Sequence, residues 1–165
     1  MTPAADLERL RQALWRCGRH RQALGHALAD LALAPLTGPA DLENPGRERE
    51  RLLDQFTYRF IRLQDDLGQS LMPAILRCLG EDVPRLAMLA RLDRLEQLGW
   101  LEQAERWLEL RQIRNALTHD YPEPLEQQWQ DLQAAIAAAH ELVQLFDRLV
   151  VRIRSEGWEE AVPAR

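Results

Sequence analysis

Apolar residues recur at alternating steps of three and four along two long stretches of the chain, and this spacing constrains the fold more than any other feature. Such spacing places the apolar side chains on one face of an α-helix. The first stretch contains Leu7, Leu10, Leu14, Cys17, Leu24, Leu28 and Leu31. The second contains Trp129, Leu132, Ile136, Ala139, Val143, Phe146, Val150 and Ile153, widened by Leu142, Leu145 and Leu149. Both are predicted to be long helices, and the wider face of the second predicts that it packs against more than one neighbour.

Arg21 interrupts the first apolar stripe. A charged side chain at this position would face a partner helix or a polar cleft. We expect its aliphatic stem to be buried and its guanidinium to pair with a carboxylate.

The segments between the two stretches also have helical periodicity, and none has the period of a strand. Prolines and glycines predict a loop over 35–46. Further helices are predicted at about 48–71, 86–98 and 102–117. The pattern of the first of these continues to Ile75 and Leu79, and Pro73 is expected to kink or break the helix before them. Gly99 is expected to end the second. The prediction is an all-α, up-and-down bundle of four to five helices, with one domain over residues 1–154 and a C-terminal tail over residues 155–165.

Composition restricts the possible functions. The net charge of −5 argues against a general nucleic-acid binder, although a small arginine-lined cleft remains possible. All 21 basic side chains are arginine, which codon bias explains without function. Cys17 and Cys78 have no metal-ligand spacing and are interpreted as small core residues. With no signal peptide and no apolar run of the roughly 18–20 residues that a span needs, we expect a cytoplasmic protein without a membrane partner.

The octet RNALTHDY at residues 114–121, followed by Pro122, concentrates reactive side chains at the end of a helical pattern. It holds Arg114, Asn115, His119 and Tyr121, although the chain has only four histidines, two asparagines and two tyrosines. Arg111 lies one turn before Arg114 on the same side of the helix and would extend it into an edge of two guanidiniums. This octet is the candidate site.

Arg114 and His119 cannot lie on the same face of one straight helix, because five residues turn it by about 140°. Pro122 favours an extended Tyr121, so the helix is predicted to end near Thr118 or His119. Two arrangements then bring the pair together: the turn swings His119 back toward Arg114, or two protomers of a dimer supply one residue each.

If the two side chains converge, they suit phosphodiester transfer without a metal. His119 would take a proton from a ribose 2′-hydroxyl or give one to the leaving oxygen. Arg114 would bind the scissile phosphate and stabilise its growing charge. Asn115 would orient the histidine or the sugar.

Each of these residues also has a structural interpretation. A histidine in the last helical turn interacts favourably with the helix C-terminus. Arg114 would serve as an ion-pair partner of Glu109 or Asp120, Asn115 would end the helix, and Tyr121 would anchor the turn at Pro122.

The pattern of Arg114, Asn115, His119 and Tyr121 at the end of a helix, in a small all-α protein, resembles the HEPN superfamily. It is similar in particular to the HepT-like proteins associated with minimal nucleotidyltransferases. The superfamily signature is an arginine, four to six residues and a histidine, and the HepT-like form adds the tyrosine. The helical pattern resembles the family from the first helix to about Ile153.

The resemblance implies a metal-independent endoribonuclease without a cofactor, acting as the toxin of a toxin–antitoxin pair. Its catalytic Arg114, His119 and Asn115 would line the cleft of a homodimer. The partner nucleotidyltransferase would inactivate it by transferring AMP to Tyr121. Two alternatives remain: a non-catalytic substrate-binding or regulatory partner of the nucleotidyltransferase, and a helical dimerisation protein in which the octet caps a helix.

Two further expectations concern residues outside the octet. The segment 59–68 resembles a recurring block of such proteins, and its Asp65 would support the cleft; pairing of Arg62 with Asp65 or Asp66 within the helix explains the segment equally well. The broad apolar face of the last helix is a candidate dimer interface.

Overall fold

A computed structural model describes residues 2–118 and 123–164. All regular secondary structure in these residues is helical. The elements are α1 (Ala4–Leu33), the single turn α2 (Ala40–Glu43), α3 (Arg47–Asp66), a π-helical turn (Leu67–Leu71), α4 (Met72–Cys78), α5 (Met88–Gln97), α6 (Ala104–Ala116) and α7 (Leu125–Ser155). Short 3₁₀ turns occur at Val83–Arg85 and Glu159–Ala161. The predicted all-α helical bundle is therefore confirmed.

The first helix packs antiparallel to the continuous helical rod formed by α3, the π-helical turn and α4. At one end, the Thr2 hydroxyl donates to the carbonyl of Cys78 at 3.4 Å. Halfway along, the guanidinium of Arg59 lies 3.0 Å from Nδ1 of His20. The apolar stripe of α1 faces this rod and α7, and its central members Leu10, Cys17 and Leu24 are fully buried.

The break predicted at Pro73 occurs just before it, as the π-helical turn. Pro73 lies in the first turn of α4, where its missing N–H removes nothing essential. Its ring would clash with the carbonyl four residues earlier in a regular helix. In the wider turn, the amide of Met72 instead bonds to the carbonyl of Leu67, five residues back. The rod thus continues past the proline as α4.

The last helix, α7, packs against several elements, as its wide apolar face predicts. Asp147 on α7 accepts two hydrogen bonds from Arg21, at 3.0 and 2.7 Å, so the predicted pairing of Arg21 with a carboxylate is confirmed. On another side of α7, Glu141 bonds to Arg106 of α6. These ion pairs align α7 with α1 and with α6.

The proposed dimer face of α7 is used inside the chain. Leu142, Phe146 and Ile153 are at most 7 % exposed, because α1, α3 and α6 cover them. Trp129, Ile136, Val143 and Val150 of the same face are only partly buried, so a dimer interface on α7 stays a prediction, made for a face that is largely covered within one chain.

The segment that follows α7 packs against the helices as well. Trp158 is 8 % exposed and stacks on Trp100, with the ring centroids 5.9 Å apart. Ala161 is buried where its 3₁₀ turn packs against α1. The residues predicted as a tail therefore contribute apolar contacts to the bundle.

A separate property concerns membranes. Within residues 2–118 and 123–164, none of the helices combines the length and the apolar character that crossing a bilayer requires.

Candidate functional site

The candidate octet begins on the last turn of α6 and continues into the turn after it. The helix ends at Ala116, two to three residues before the predicted end near Thr118 or His119. The amide and hydroxyl of Thr118 both donate to the carbonyl of Asn115, at 3.0 and 2.8 Å. These bonds use the carbonyl that the next helical turn would need, so the helix stops. His119, Asp120, Tyr121 and Pro122 lie outside the described residues.

The Arg114 side chain reaches from α6 across to α3. Its Nη2 donates to Oδ2 of Asp65 at 2.6 Å, and its Nη1 donates to Oδ1 of Asn115 at 3.3 Å. Its Nε is buried and has no hydrogen-bond partner among residues 2–118 and 123–164. Asp65 immediately precedes the last residue of α3 and is 19 % exposed, against 22 % for Arg114. The pair is therefore partly shielded from water and fixes the guanidinium relative to both helices.

The pairings considered from the sequence are distributed differently. Glu109, one alternative partner of Arg114, accepts from Arg106 at 2.5 Å instead. Nη2 of Arg62 lies 3.9 Å from Oδ1 of Asp66, one helical turn along. Asp65 instead forms an ion pair with Arg114. The explanation of segment 59–68 by pairing within the helix thus applies to Asp66, whereas Asp65 turns toward α6.

Between α3, α4, α5 and α6 lies a groove of about 310 Å³, and Arg114 and Asn115 form part of its rim. We call it the arginine groove. Its lining residues are Gln64, Asp65, Gly68, Gln69, Met72, Pro73, Met88, Arg91, Leu92, Leu95, Trp107, Arg111, Arg114 and Asn115. The predicted edge of Arg111 and Arg114 is present, since both line the same groove.

Charge distinguishes the arginine groove from the other cavity beside α6. Three arginines and one carboxylate, Asp65, line the groove, a balance of +2 in a chain of net charge −5. The second cavity, of about 240 Å³ between α6 and α7, has two arginines and two glutamates in its lining and is balanced. An anion would therefore be attracted to the arginine groove.

The two outer arginines of the groove are held by uncharged atoms. Arg91 donates through Nε to the carbonyl of Leu86 at 2.8 Å and through Nη2 to that of Val83 at 3.1 Å. Arg111 contacts the sulfur of Met88 at 2.6 Å through Nη1. Carbonyls and a thioether position a guanidinium but do not neutralise its charge, so both arginines contribute to the positive potential of the groove.

Gly68 sets the floor of the arginine groove. A Cβ at this position would lie 2.8 Å from Cζ2 of Trp107, closer than side chains tolerate. The glycine lies in the π-helical turn, so this turn packs directly against Trp107 of α6. Gly68, Gln64, Arg91 and Trp107 were not predicted as groove residues. An isolated glycine inside a helical pattern, such as Gly68, was the available signal for a close approach.

A second polar cluster lies on the opposite side of α3, against α1. Arg59 can only donate, so Nδ1 of His20 accepts and the imidazole proton belongs on Nε2. Nε2 lies 3.4 Å from Oδ2 of the buried Asp66. Burial lowers the pKa of His20 and outweighs the opposing pull of Asp66, with Arg59 and Arg62 adding to the decrease. This cluster was not predicted, because His20 lies 39 residues from Arg59.

The thiols are confirmed as core residues, since Cys17 and Cys78 are at most 7 % exposed. Burial raises the pKa of Cys78 to about 11 and that of Cys17 further, so neither thiol is an activated nucleophile. Across the described part of the chain, no three His, Cys, Asp or Glu side chains are grouped as metal ligands.

The described part of the octet that lines the groove, Arg114 and Asn115, supplies hydrogen-bond donors that suit an anion. Arg114 and Asn115 are brought together with Arg111 and Asp65, whereas the placement of His119 and Tyr121 is outside the described residues. Comparison of the chain with protein-family models, with curated proteins and with solved structures gave no match.

Proposed function

We propose that the protein is a metal-independent endoribonuclease of the HEPN, HepT-like type, acting as the toxin of a toxin–antitoxin pair. Arg114 binds the scissile phosphate, His119 transfers protons and Asn115 orients the reacting groups. The observation that carries this proposal is the guanidinium of Arg114, which is held by Asp65 on the rim of a positively charged groove.

The geometry of Arg114 suits phosphate binding because part of its hydrogen-bonding capacity is used for positioning. Asp65 engages Nη2 and Asn115 engages Nη1. A guanidinium has five N–H donors, so others remain available for phosphate oxygens. Pre-positioned donors stabilise a developing charge without reorganising during the reaction. Arg111, on the same rim, adds a second positive charge.

The proposed reaction is an in-line transfer. His119 removes the proton of a ribose 2′-hydroxyl, and the 2′-oxygen attacks the adjacent phosphorus. The bond from phosphorus to the 5′-oxygen breaks, and that oxygen leaves with a proton from a general acid. The products are a 2′,3′-cyclic phosphate and a 5′-hydroxyl, and Arg114 stabilises the extra negative charge on the phosphoryl oxygens during the transfer.

A homodimer and a nucleotidyltransferase partner complete the proposal. The helix carrying Arg114 ends at Ala116, so the following turn is free of the 140° restriction that a continuous helix would impose on His119. The histidine then acts in its own protomer or across a two-fold cleft. Tyr121 accepts AMP from the partner enzyme, and the bulky negative charge that this adds blocks RNA.

Cleavage of RNA in excess EDTA tests this function. We expect the wild-type protein to produce 2′,3′-cyclic phosphate ends, and His119→Ala and Arg114→Ala to lower the rate at least about 100-fold. Arg106→Ala is the matched control, because Arg106 also lies on α6 and forms an ion pair between helices but faces α7. Equal cleavage by wild-type protein and His119→Ala would overturn the proposal.

The same protein preparation distinguishes the ribonuclease from a non-catalytic regulatory partner of the nucleotidyltransferase. Incubation with a minimal nucleotidyltransferase and ATP should add one AMP mass to Tyr121 and stop cleavage. Addition of AMP without any RNA cleavage before it would favour the non-catalytic partner instead. An unmodified Tyr121 would count against both interpretations of the tyrosine.

A further inference from the structure

The cavity of about 240 Å³ between α6 and α7 is separate from the arginine groove. We call it the α6–α7 cavity. Trp107 lines both cavities, whereas Arg114 and Asn115 line only the groove. The volume of the α6–α7 cavity is below the roughly 300–1,000 Å³ of sites for drug-sized ligands. A ligand that fits it is therefore small, and its binding does not use Arg114 or Asn115.

The inner wall of the α6–α7 cavity is apolar. Trp107, Leu110 and Leu145 line it, and each of them is at most 8 % exposed. Contact between such a wall and an apolar ligand group is favourable because it removes both surfaces from water. The interior of the cavity thus suits an aliphatic or aromatic group.

Two ion pairs of different strength form the mouth of the cavity. Arg106 donates through Nε to Oε2 of Glu141 at 3.0 Å and also bonds to Glu109, so this pair is fixed. Nη2 of Arg148 lies 3.8 Å from Oε1 of Glu102, which is too long for a hydrogen bond. These two side chains are 56 % and 84 % exposed. Such a pair contributes little to stability, so a ligand can separate it at little cost.

The loose pair of Arg148 and Glu102 matches a ligand with one charge of each sign. A ligand carboxylate accepts hydrogen bonds from the guanidinium, and a ligand ammonium donates to the carboxylate. One loose ion pair is thereby replaced by two charge-assisted hydrogen bonds, whereas a ligand with a single charge gains only one of them. In an α-amino acid both charged groups and the side chain are attached to one carbon. The charges can then stay at the mouth while the side chain enters the apolar interior.

From this arrangement we propose that the α6–α7 cavity binds a free α-amino acid with an apolar side chain. Arg148 holds its carboxylate and Glu102 holds its ammonium. The side chain packs against Trp107, Leu110 and Leu145. This site goes beyond the proposed function, because the amino acid is not a reactant of the phosphodiester transfer.

Calorimetric titration of the full chain with L-leucine, L-isoleucine, L-methionine, L-phenylalanine and glycine, each to millimolar concentration, tests the site. We expect at least one of the four apolar amino acids to bind at least about tenfold more tightly than glycine, which has no side chain to bury. The analogues of that ligand without its amino group or without its carboxyl group should each bind about 10- to 150-fold more weakly. For leucine these analogues are 4-methylpentanoate and 3-methylbutylamine.

Two substitutions at the mouth assign the charged contacts. Arg148→Met keeps the length of the side chain and removes its charge, so it should abolish the advantage of the amino acid over the amine analogue. Glu102→Gln should abolish the advantage over the carboxylate analogue. Arg154→Met is the matched control, because Arg154 is also exposed on α7 but does not line the cavity, and it should leave all affinities unchanged.

Three results would overturn the site: no binding of any of the apolar amino acids, equal binding of the amino acid and its carboxylate analogue, or unchanged affinity for the amino acid in both Arg148→Met and Glu102→Gln. Equal binding of the carboxylate analogue would show an anion site only.

The outcome is independent of the ribonuclease. His119→Ala should bind the amino acid as the wild-type protein does, so binding without RNA cleavage contradicts only the proposed function. RNA cleavage without amino-acid binding contradicts only the α6–α7 site.

Discussion

Arg114 on α6 donates a hydrogen bond of 2.6 Å to Asp65 on α3, although the two residues are 49 positions apart in the chain. Both side chains are about one-fifth exposed. The pair links the last turn of α6, where the octet begins, to the residue two positions before the π-helical turn. It therefore has two consequences that can be measured separately, one for stability and one for the position of the guanidinium.

Removal of the Asp65 carboxylate should change both the stability of the protein and the position of the Arg114 guanidinium. We expect Asp65→Ala to lower the free energy of unfolding by about 1–2 kcal/mol, because it leaves a partly buried guanidinium unpaired. Under the proposed function it should also lower RNA cleavage more in kcat than in KM, since Arg114 stays present but loses its orientation. Urea denaturation and steady-state kinetics on the same preparations provide the two readouts.

The control for Asp65→Ala is Asp147→Ala, which breaks the ion pair with Arg21 on the opposite side of the bundle. It should affect stability but not cleavage. A double-mutant cycle that combines Asp65→Ala with Arg114→Ala should give a coupling energy near 1 kcal/mol. A coupling near zero would show that the pair does not contribute to folding in solution.

Gly68→Ala should destabilise the protein, although helices usually favour alanine over glycine. Glycine costs a helix roughly 0.5–1 kcal/mol relative to alanine, so helix propensity alone predicts a gain. The added Cβ, however, would lie 2.8 Å from Trp107, which is only 4 % exposed and cannot move freely. We therefore expect a net loss of about 1–3 kcal/mol in the free energy of unfolding.

Gly18→Ala is the matched comparison for Gly68→Ala. Gly18 lies within α1, and a Cβ there would meet only Phe146, at an ordinary 3.8 Å. This substitution should stabilise the protein by about 0.5–1 kcal/mol. Stabilisation by both alanines in thermal unfolding would disprove the close approach of α6 to the π-helical turn.

The sequence predicted most of the secondary structure because helical periodicity is a local property. The long helices, the arginine inside the first stripe and the turn at Gly99 depend on neighbours within a few residues. The position of the rod's break was approximate, since Pro73 acts on carbonyls of the preceding turn and the π-helical turn relieves the clash there.

The site was predicted less completely, because its contacts join distant segments. Arg114 and Asn115 were singled out by rare residue types close together. The partner of Arg114, the buried Gln64 and the indole of Trp107 depend on how α3 and α6 pack, which spacing within one helix does not determine. Likewise, the apolar face of α7 gave no sign of whether another chain or its own would cover it.

Stability should fall as the pH decreases from 7.5 to 5.5 because of His20. The pKa of His20 is lowered in the folded protein by burial, while in the unfolded chain it is about 6.5. The unfolded state therefore binds more protons in this window, and the free energy of unfolding declines as pH falls through the unfolded pKa. Protonation of Nδ1 would also place an N–H against the guanidinium of Arg59.

Urea denaturation at pH 7.5, 6.5 and 5.5 checks this dependence, with His20→Gln as the comparison. The variant lacks a titrating group here, so its stability should change less over the window. The carboxyls with lowered pKa, such as Glu141, lose their contribution only at more acidic pH. An equal decline in both proteins would assign the effect to groups other than His20.

The segment after α7 should be required for full stability. Trp158 stacks on Trp100, and the guanidinium of Arg152 lies 4.4 Å from the centre of the Trp100 ring. Removal of the Trp158 side chain leaves a cavity and exposes one face of Trp100. Trp158→Ala should therefore cost about 3 kcal/mol, which corresponds to a decrease in Tm of roughly 6–12 °C for a chain of this size.

Trp15→Ala is the control for Trp158→Ala, because Trp15 is 53 % exposed and its loss should change Tm little. A chain ending at Ser155 should lose at least as much stability as Trp158→Ala, since it also lacks the buried Ala161. If the shortened chain unfolds at the wild-type temperature, the bundle does not need these residues and the domain ends with α7. If the Tm decreases equally in Trp158→Ala and in the shortened chain, the folded domain includes the segment through the 3₁₀ turn Glu159–Ala161.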